Sequence, residues 1–154
     1  MTGWRIGYTA GDEKIIKAMG KLQGQSTSCP NSIAQIAAIE ALTGDQSEIT
    51  KMREIFKMRR DFVVNRLNNM KGVNCDTPGG AFYVFPDFSA YIGNDKKIKS
   101  SDDLSMYWLE QKSVVTVAGK AFGSDNNVRF SYAASNEDLS KAMDLVEETL
   151  EELS

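Results

Sequence analysis

Two arginines in this 154-residue sequence have the chemistry to bind an anion, and both fall on predicted strands. The residues two positions either side of Arg5 are both glycine, and those around Arg129 are asparagine and serine. Because side chains alternate between the faces of a strand, each guanidinium would have free space beside it. A guanidinium can hold a phosphate or a carboxylate through two parallel hydrogen bonds. On spacing alone, however, ordinary surface salt bridges are the better interpretation.

The chain contains no histidine, and this excludes several kinds of catalytic site within it. Ser-His-Asp and Cys-His nucleophiles, histidine-ligated zinc and histidine proton shuttles are all ruled out. The two cysteines, Cys29 and Cys75, are too few for a thiolate metal site and are predicted to be free thiols of a reducing cytosol. We therefore predict no metal site, and any general base is Lys, Asp, Glu, Tyr or Cys or lies outside these residues.

Composition and charge narrow the class of protein further. Apolar residues make up 42% and charged residues 25%, the profile of a soluble globular protein, and the net charge of −3 gives no nucleic-acid footprint. Residues 1–72 carry 11 basic and 7 acidic side chains, whereas residues 73–154 carry 7 and 14. No apolar run is long enough to span a bilayer and no signal peptide is visible, so we expect a cytoplasmic protein without a membrane partner.

Hydrophobic periodicity predicts the elements that would position these arginines. Strands are predicted at 3–8, 73–77, 81–88, 114–118 and 128–134, helices at 12–23, 31–41, 47–70, 100–111 and from 135 to the end, and loops at 23–31 and 119–127. The Ala-rich helix 31–41 should be buried on most sides, and helix 47–70, roughly 36 Å long, should bridge two lobes. Its basic residues, and the acids at 147, 148, 151 and 152, are interpreted as solvated faces. Short connections favour a mixed or antiparallel sheet.

Four segments of the chain resemble motifs of a known family. Residues 1–8, Met-Thr-Gly-Trp-Arg-Ile-Gly-Tyr, resemble the stretch just after the Schiff-base lysine of class I aminotransferases, the aspartate aminotransferase group of pyridoxal-phosphate enzymes. Residues 26–30, 78–83 and 128–133 resemble later motifs in the family's order. The resemblance covers essentially the whole chain, and its first and last motifs are the specific ones.

The resemblance implies an α/β fold, namely the C-terminal small domain of a fold type I enzyme with a helical and strand remnant of the large domain. The remnant would be residues 1–50, the connecting helix 51–70 and the small domain 71–154. By the same resemblance, Arg5 binds the cofactor phosphate and Arg129 the α-carboxylate of the substrate. Phe82 lies in the segment that reaches the active site, where packing is favoured over substrate contact. Family members are homodimers, so a homodimer or larger self-association through residues 1–50 is expected.

Departures from the family pattern limit what the chain can do. The Schiff-base lysine would precede Met1, so no catalytic residue is assigned, and the partners of the cofactor ring are also absent. Ala118 stands where the family usually has proline, and Lys120 is interpreted as an ordinary loop lysine. We therefore expect a full-length parent that transfers an amino group between aspartate or a similar amino acid and a 2-oxo acid. The chain alone should be inactive and should not retain pyridoxal 5'-phosphate.

Two alternatives of other classes remain open at this point. The chain could be a stand-alone, non-catalytic α/β domain that binds an anion or another ligand through Arg5 and Arg129. It could also be a purely structural fragment. Which amino acid the parent would use is not evident from these residues.

Overall fold

The computed structural model describes residues 1–153 and is rich in helices. The helices are α1 (Glu13–Ser26), α2 (Ser32–Thr43), α3 (Ser47–Asn69), α4 (Ser101–Lys112) and α5 (Asn136–Glu152), and the strands are β1 (Tyr83–Val84), β2 (Val117–Ala118) and β3 (Val128–Ser131). Two 3₁₀ turns span Thr2–Trp4 and Gly119–Phe122. The chain divides into two compact units, Met1–Thr50 and a second that begins at Lys51.

Polar side chains begin four of the helices where the sequence predicts. The side chains of Asp12, Asn31, Ser100 and Ser135 each accept a hydrogen bond from a backbone N–H group in the first turn of the helix that follows. Such caps satisfy N–H groups that have no partner within the helix. The predicted starts of α1, α2, α4 and α5 are confirmed. At its other end α1 continues to Ser26, so the predicted loop 23–31 is shorter than expected.

The predicted strand 3–8 is wrong. The backbone N–H groups of Trp4 and Arg5 bond to the carbonyls of Met1 and Thr2, closing a 3₁₀ turn, and Arg5 is left-handed with φ 51°. A strand is stable only when a neighbour pairs with its backbone groups. Among residues 1–153 no strand pairs with this segment, so the local turn forms instead. The predicted alternation of faces around Arg5 is therefore also wrong.

The expected burial of α2 is wrong as well. Ile33, Ile36, Ile39 and Leu42 are all more than half exposed, and Ala34 is the one buried residue of the first unit. These apolar side chains stay exposed in the described part of the chain, residues 1–153. The composition of α2 favours burial, but the contacts that would bury it are not made within residues 1–50.

The second unit has a continuous core between helices and a small sheet. The three strands are antiparallel in the order β1-β3-β2, with Tyr83 opposite Ser131 and Val117 opposite Arg129. The antiparallel alternative of the predicted sheet is confirmed. The core contains residues from α3, α4, α5, β1 and β3, the largest fully buried ones being Trp108, Phe88, Leu67, Leu104 and Met143. The ring centre of Trp108 lies 5.2 Å from that of Phe88 and 5.4 Å from that of Phe130.

The strands are shorter than predicted for identifiable reasons. The side chain of Asn68 donates to the Cys75 carbonyl and accepts from its N–H group at 2.9 and 2.8 Å, which replaces a strand ladder at 73–77 by a single bridge. Strand 81–88 is reduced to Tyr83–Val84 because Ala81 is left-handed, with φ 62°, and Pro86 has no N–H group to donate. Strands 114–118 and 128–134 keep only their paired residues, Val117–Ala118 and Val128–Ser131.

The charged faces of α3 and α5 are paired rather than simply solvated. The Arg66 guanidinium lies 2.7 Å from the Asp144 carboxylate and 2.9 Å from that of Glu147, and these bonds raise its pKa. The Lys112 ammonium group lies 3.0 Å from Glu148. A second contact, at 3.1 Å, joins it to the carboxylate of Glu152. The side chains of Glu147, Glu148 and Glu152 remain 43–57% exposed, so the acids of α5 form an outer face, as predicted, that also makes ion pairs. Hydrophobic periodicity cannot predict these ion pairs, since the cations, Arg66 and Lys112, come from other helices.

Candidate anion-binding site

Arg129 lies on β3, the middle strand of the sheet, and its guanidinium contacts two aromatic rings. The guanidinium carbon is 4.3 Å from the centre of the Tyr83 ring and 4.7 Å from that of Phe122. Val128, Phe130 and Tyr132 are buried, as the strand alternation predicts, whereas Arg129 is half-buried. We call Arg129, Tyr83 and Phe122 the Arg129 cluster. The expectation of empty space beside this guanidinium is wrong, because rings occupy part of it.

The guanidinium of Arg129 has no anionic partner among residues 1–153. No carboxylate lies within 4.0 Å of it, and it donates no hydrogen bond to the described part of the chain. The surface salt bridge that spacing alone favours is therefore not formed. The N–H groups of Arg129 are not among the buried side-chain atoms that lack a partner, so they reach solvent and are free to bind an acceptor. A carboxylate or a phosphate supplies such acceptors in bidentate geometry.

The turn before β1 places Tyr83 against Arg129. Tyr132, next to β3, donates its hydroxyl to the Ala81 carbonyl and its backbone N–H to the Phe82 carbonyl, both at 2.9 Å. The Arg60 guanidinium donates to the carbonyl of Pro78 at 3.2 Å. These bonds hold the left-handed turn at Ala81, a conformation that non-glycine residues adopt only with support from their surroundings.

Phe82 is one ring removed from the guanidinium. Its ring lies 4.3 Å from that of Tyr83 and 6.4 Å from that of Phe56, centre to centre, and the side chain is half-buried. The structure therefore brings Phe82 and Arg129 into the same aromatic group, with Tyr83 between them. This position is that of a packing residue. Contact of Phe82 with a substrate remains an expectation.

Phe122 belongs to residues 119–127, which we call the Phe122 loop. Buried Ser101, the first residue of α4, donates its backbone N–H and its hydroxyl to the Asp125 carboxylate at 3.0 and 2.8 Å, and its oxygen accepts from the Lys120 N–H at 3.1 Å. The Asn127 amide donates to the Phe85 carbonyl at 2.9 Å. The loop is therefore tied to α4 and to the residue after β1, and these bonds restrain it although Ala118 stands where the family usually has proline.

Gly119 and Lys120 begin this loop with different roles. A Cβ atom at Gly119 would lie 2.1 Å from the carbonyl oxygen of Asn127 and 2.3 Å from that of Ser124, so only glycine fits. The side chain of Lys120 is 65% exposed, and its ammonium group lies 3.7 Å from Asp102. This surface pair agrees with the interpretation of Lys120 as an ordinary loop lysine.

Sequence reasoning missed Tyr83 and Phe122 as partners of Arg129. Tyr83 was visible only as part of the motif at 78–83, and Phe122 only as part of a loop. Aromatic residues far apart in the chain give no signal in one sequence that they converge on one arginine. The available signal was position in the sequence. Tyr83 ends the motif at 78–83, and Phe122 lies in the loop that precedes the motif at 128–133.

Arg5 belongs to the first unit, Met1–Thr50, and its contacts are described within that unit. It ends the turn Thr2–Trp4, its side chain is exposed, and its guanidinium donates to the Thr2 carbonyl at 3.4 Å. Among residues 1–153 no carboxylate lies within 4.0 Å of it. Its charge is therefore available to a phosphate.

The cysteines and acidic residues form no metal site in the described part of the chain. No group of three or more potential ligands of the types His, Cys, Asp and Glu comes together there. Cys29 is exposed and Cys75 is buried, and both are free thiols. Across residues 1–153, no helix is at once long enough and apolar enough to cross a membrane.

An α/β domain with an unpaired, half-buried arginine on its central strand is suited to binding a small anion, and comparison with known proteins gives its family. The profile of the family described as aminotransferase class I and II matches residues 1–146. The chain belongs to this family. The prediction that it resembles the C-terminal portion of a class I aminotransferase, with the α/β fold of such enzymes, is confirmed.

Similar proteins are named as aspartate or aspartate/prephenate aminotransferases. The chain is 51% identical over 146 residues to the aspartate/prephenate aminotransferase of Cereibacter sphaeroides, covering 92% of the chain and 36% of that protein. It is 43% identical over 158 residues to the aspartate aminotransferase of Rhizobium meliloti, covering 100% of the chain and 38% of that protein. The chain therefore spans little more than a third of these relatives.

Solved structures agree with this assignment. A crystal structure of the Rhizobium meliloti aspartate aminotransferase superposes with a TM-score of 0.88 at 42% identity, covering 100% of this chain and 40% of that one. The aspartate aminotransferase of Thermotoga maritima gives a TM-score of 0.84 at 40% identity, covering 98% of this chain and 37% of that one. The fold of the described residues is thus that of the corresponding part of these enzymes.

Proposed function

We propose that the protein carrying this chain is an aminotransferase that uses pyridoxal 5'-phosphate. It moves an amino group between an amino acid, aspartate or a similar one, and a 2-oxo acid. The observation that carries this proposal is the guanidinium of Arg129, half-buried, in contact with two rings and without a carboxylate partner among residues 1–153. The names of the relatives, aspartate and aspartate/prephenate aminotransferase, support the choice of substrate.

Arg129 binds the α-carboxylate of the amino acid in this proposal. Its N–H groups lie in one plane and can give a carboxylate two parallel hydrogen bonds, which fix the direction of the bond between the carboxylate and Cα. Orientation of this kind accounts for a large part of the rate of an enzyme, because the substrate is held near the reacting geometry. Lysine at this position would keep the charge without the planar pair of donors.

Arg5 binds the phosphate of the cofactor in this proposal, as the family resemblance implies. Its exposed guanidinium has only a long bond to the Thr2 carbonyl, so its donors suit a phosphate. Pyridoxal phosphate, when bound, supplies an electron sink for the carbanion that forms at Cα of the amino acid. The two arginines have different roles in this proposal. Arg129 orients the substrate, and Arg5 retains the cofactor whichever substrate is present.

The test uses the Rhizobium meliloti aspartate aminotransferase with its matching segment replaced by residues 1–154, which we call the hybrid enzyme. It should transaminate aspartate with a 2-oxo acid. Each hydrogen bond to a charged group contributes about 1.5–3 kcal/mol, so loss of two lowers kcat/KM by about a hundred- to ten-thousandfold. Arg129→Ala should show this loss for aspartate, and Arg129→Lys should recover only part of it.

The control substrate is 3-aminopropanoate, which keeps the amine and the distal carboxylate of aspartate but lacks the α-carboxylate. Its reaction should be nearly unchanged by Arg129→Lys, since it does not use this contact. Arg5→Ala should instead weaken retention of the cofactor, measured by dialysis and absorbance, equally for both substrates. Equal slowing of both substrates by Arg129→Lys contradicts the assignment of Arg129.

We further propose that residues 1–154 on their own do not transaminate. By the family resemblance, the lysine that binds the cofactor covalently is not among them. A mixture of this polypeptide with pyridoxal phosphate, aspartate and a 2-oxo acid should give no more turnover than the free cofactor. Saturable turnover, abolished by Arg129→Ala, would show that another residue of the chain replaces the missing lysine.

A further inference from the structure

The two rings that contact Arg129 are held in different ways. Tyr83 is part of β1, and its backbone pairs with Ser131 of β3, the strand that carries Arg129. This ring and the arginine therefore belong to one sheet. Phe122 comes from the Phe122 loop, and its side chain is 50% exposed. The position of the second ring against the guanidinium is set by the contacts of the loop and not by the sheet.

The loop contacts that place Phe122 are few and specific. Ser101 is fully buried, and its hydroxyl bonds to Asp125 on one side of Phe122 in sequence and to the Lys120 N–H on the other. The Phe122 ring also meets the ring of Phe85 edge to face, at 6.0 Å and 90°. These contacts hold an exposed aromatic side chain over a guanidinium, where the attraction between cation and ring restricts both groups.

We propose that Phe122 is a positioning residue for Arg129, and that it orients the guanidinium to receive the α-carboxylate of the substrate. This inference rests on the proposed function of Arg129. An arginine side chain has many rotamers, and ordering them on binding reduces affinity. With Tyr83 and Phe122 in contact, part of that ordering is present before the substrate arrives. In this proposal Phe122 acts through Arg129, which its ring contacts.

The test compares Phe122→Leu, Phe122→Tyr and Phe62→Leu in the hybrid enzyme. A cation–ring contact corresponds to about a 2- to 30-fold change in an equilibrium constant. Phe122→Leu should raise KM for aspartate by this factor with little change in kcat, and should leave 3-aminopropanoate unaffected. Phe122→Tyr keeps a ring and should behave as the parent sequence does. Phe62, 37% exposed on α3, is the control for loss of a ring elsewhere in the second unit.

A second measurement covers the case in which a variant lowers stability. In the 154-residue chain, the NMR signal of the Arg129 Nε–H group reports the nearby rings directly. Phe122→Leu should shift this signal and speed its exchange with water, while Phe62→Leu should not. An amino-acid-specific defect in Arg129→Lys, together with unchanged KM and an unchanged Nε–H signal in Phe122→Leu, overturns this inference alone. Absence of that defect in Arg129→Lys overturns the proposed function.

Discussion

Burial gives the thiol of Cys75 a chemistry unlike that of an exposed cysteine. The side chain is 3% exposed, next to the charge of Asp76, and desolvation raises its pKa to about 11, with a smaller contribution from that charge. Only the thiolate is a nucleophile, so Cys75 is held almost wholly in its unreactive thiol form near pH 8. Cys29 is exposed in the short segment between α1 and α2. The two free thiols should therefore be distinguishable by reaction rate.

We predict that a thiol reagent modifies one cysteine of the native chain quickly and the other only after unfolding. Ellman's reagent near pH 8 measures this, and Cys29→Ser should remove the fast phase. Because the folded-state pKa of Cys75 is raised above its ordinary value of 9.0, this residue contributes stability below that pH and loses it as the pH rises toward 11. Equal rates for both thiols in the native chain would contradict the prediction.

At the scale of single residues, the strand conformation of Arg129 was predicted correctly and that of Arg5 wrongly, for one physical reason. Arg129 lies between Val128 and Phe130, whose alternation is local and whose neighbouring strands lie within the described residues. The extended conformation predicted for Arg5 needs partner strands that residues 1–153 do not provide, so a 3₁₀ turn forms. The rings around Arg129 could not be predicted, because their approach depends on the packing of distant segments.

At the scale of elements, Asp125 joins the Phe122 loop to the N-terminus of α4. Its carboxylate accepts two bonds from Ser101, through the hydroxyl and the backbone N–H. These bonds, the hydroxyl first, lower the pKa of Asp125 below its ordinary value of 3.8, and the nearby charge of Lys120 lowers it further. The ionised carboxylate therefore stabilises the junction between loop and helix.

We predict that this contribution is present above about pH 4 and is lost as the pH falls through the lowered pKa of Asp125. Asp125→Asn should be less stable than the parent sequence at neutral pH, and the difference should shrink on acidification. Thermal unfolding monitored by circular dichroism across this range measures it. Ser101→Ala removes the hydroxyl donor and should reduce the pH dependence. A difference between Asp125→Asn and the parent that stays constant with pH would argue against it.

Helix α3 shows what periodicity does and does not determine. Its bounds, Ser47–Asn69, agree with the predicted helix 47–70. Along its predicted apolar stripe, Val63 and Leu67 are buried, whereas Ile49 and Met52 are about half exposed. The pattern of 3.6 residues specifies which face is apolar but not whether a partner covers it. The helix caps were predicted correctly because they depend on residues close in sequence. The exposure of α2 was not predicted, because burial depends on a partner that covers the helix.

At the scale of the whole chain, the two units differ in how completely they bury apolar surface. The second unit has a core of twenty buried residues, whereas the first has Ala34. Ile36 and Leu42 of α2, and Ile15 and Leu22 of α1, are each more than half exposed. Exposed apolar side chains in such number favour association. This difference favours the expectation that residues 1–50 carry the contacts between copies.

We predict that the 154-residue chain forms dimers or larger species through its first unit. Ile36→Glu places a charge on the exposed face of α2 and should shift the chain toward monomer, as measured by light scattering after gel filtration over a range of concentrations. Leu109→Glu, at a 43% exposed site on α4, is the matched control and should leave association unchanged. A monomer at every concentration, or an equal effect of both variants, would count against association through residues 1–50.

The shortness of β1 and β2 limits how this chain can aggregate. They form the two edges of the sheet, with two residues each, and the longer β3 is enclosed between them. An exposed edge strand is a template on which another chain can add its own backbone, and very short edges are one of the ways in which proteins prevent this. Growth into cross-β fibrils from the folded sheet is therefore disfavoured. Copies that associate should do so through helix–helix contacts. The far-ultraviolet circular dichroism of the associated chain should therefore remain that of a helical protein.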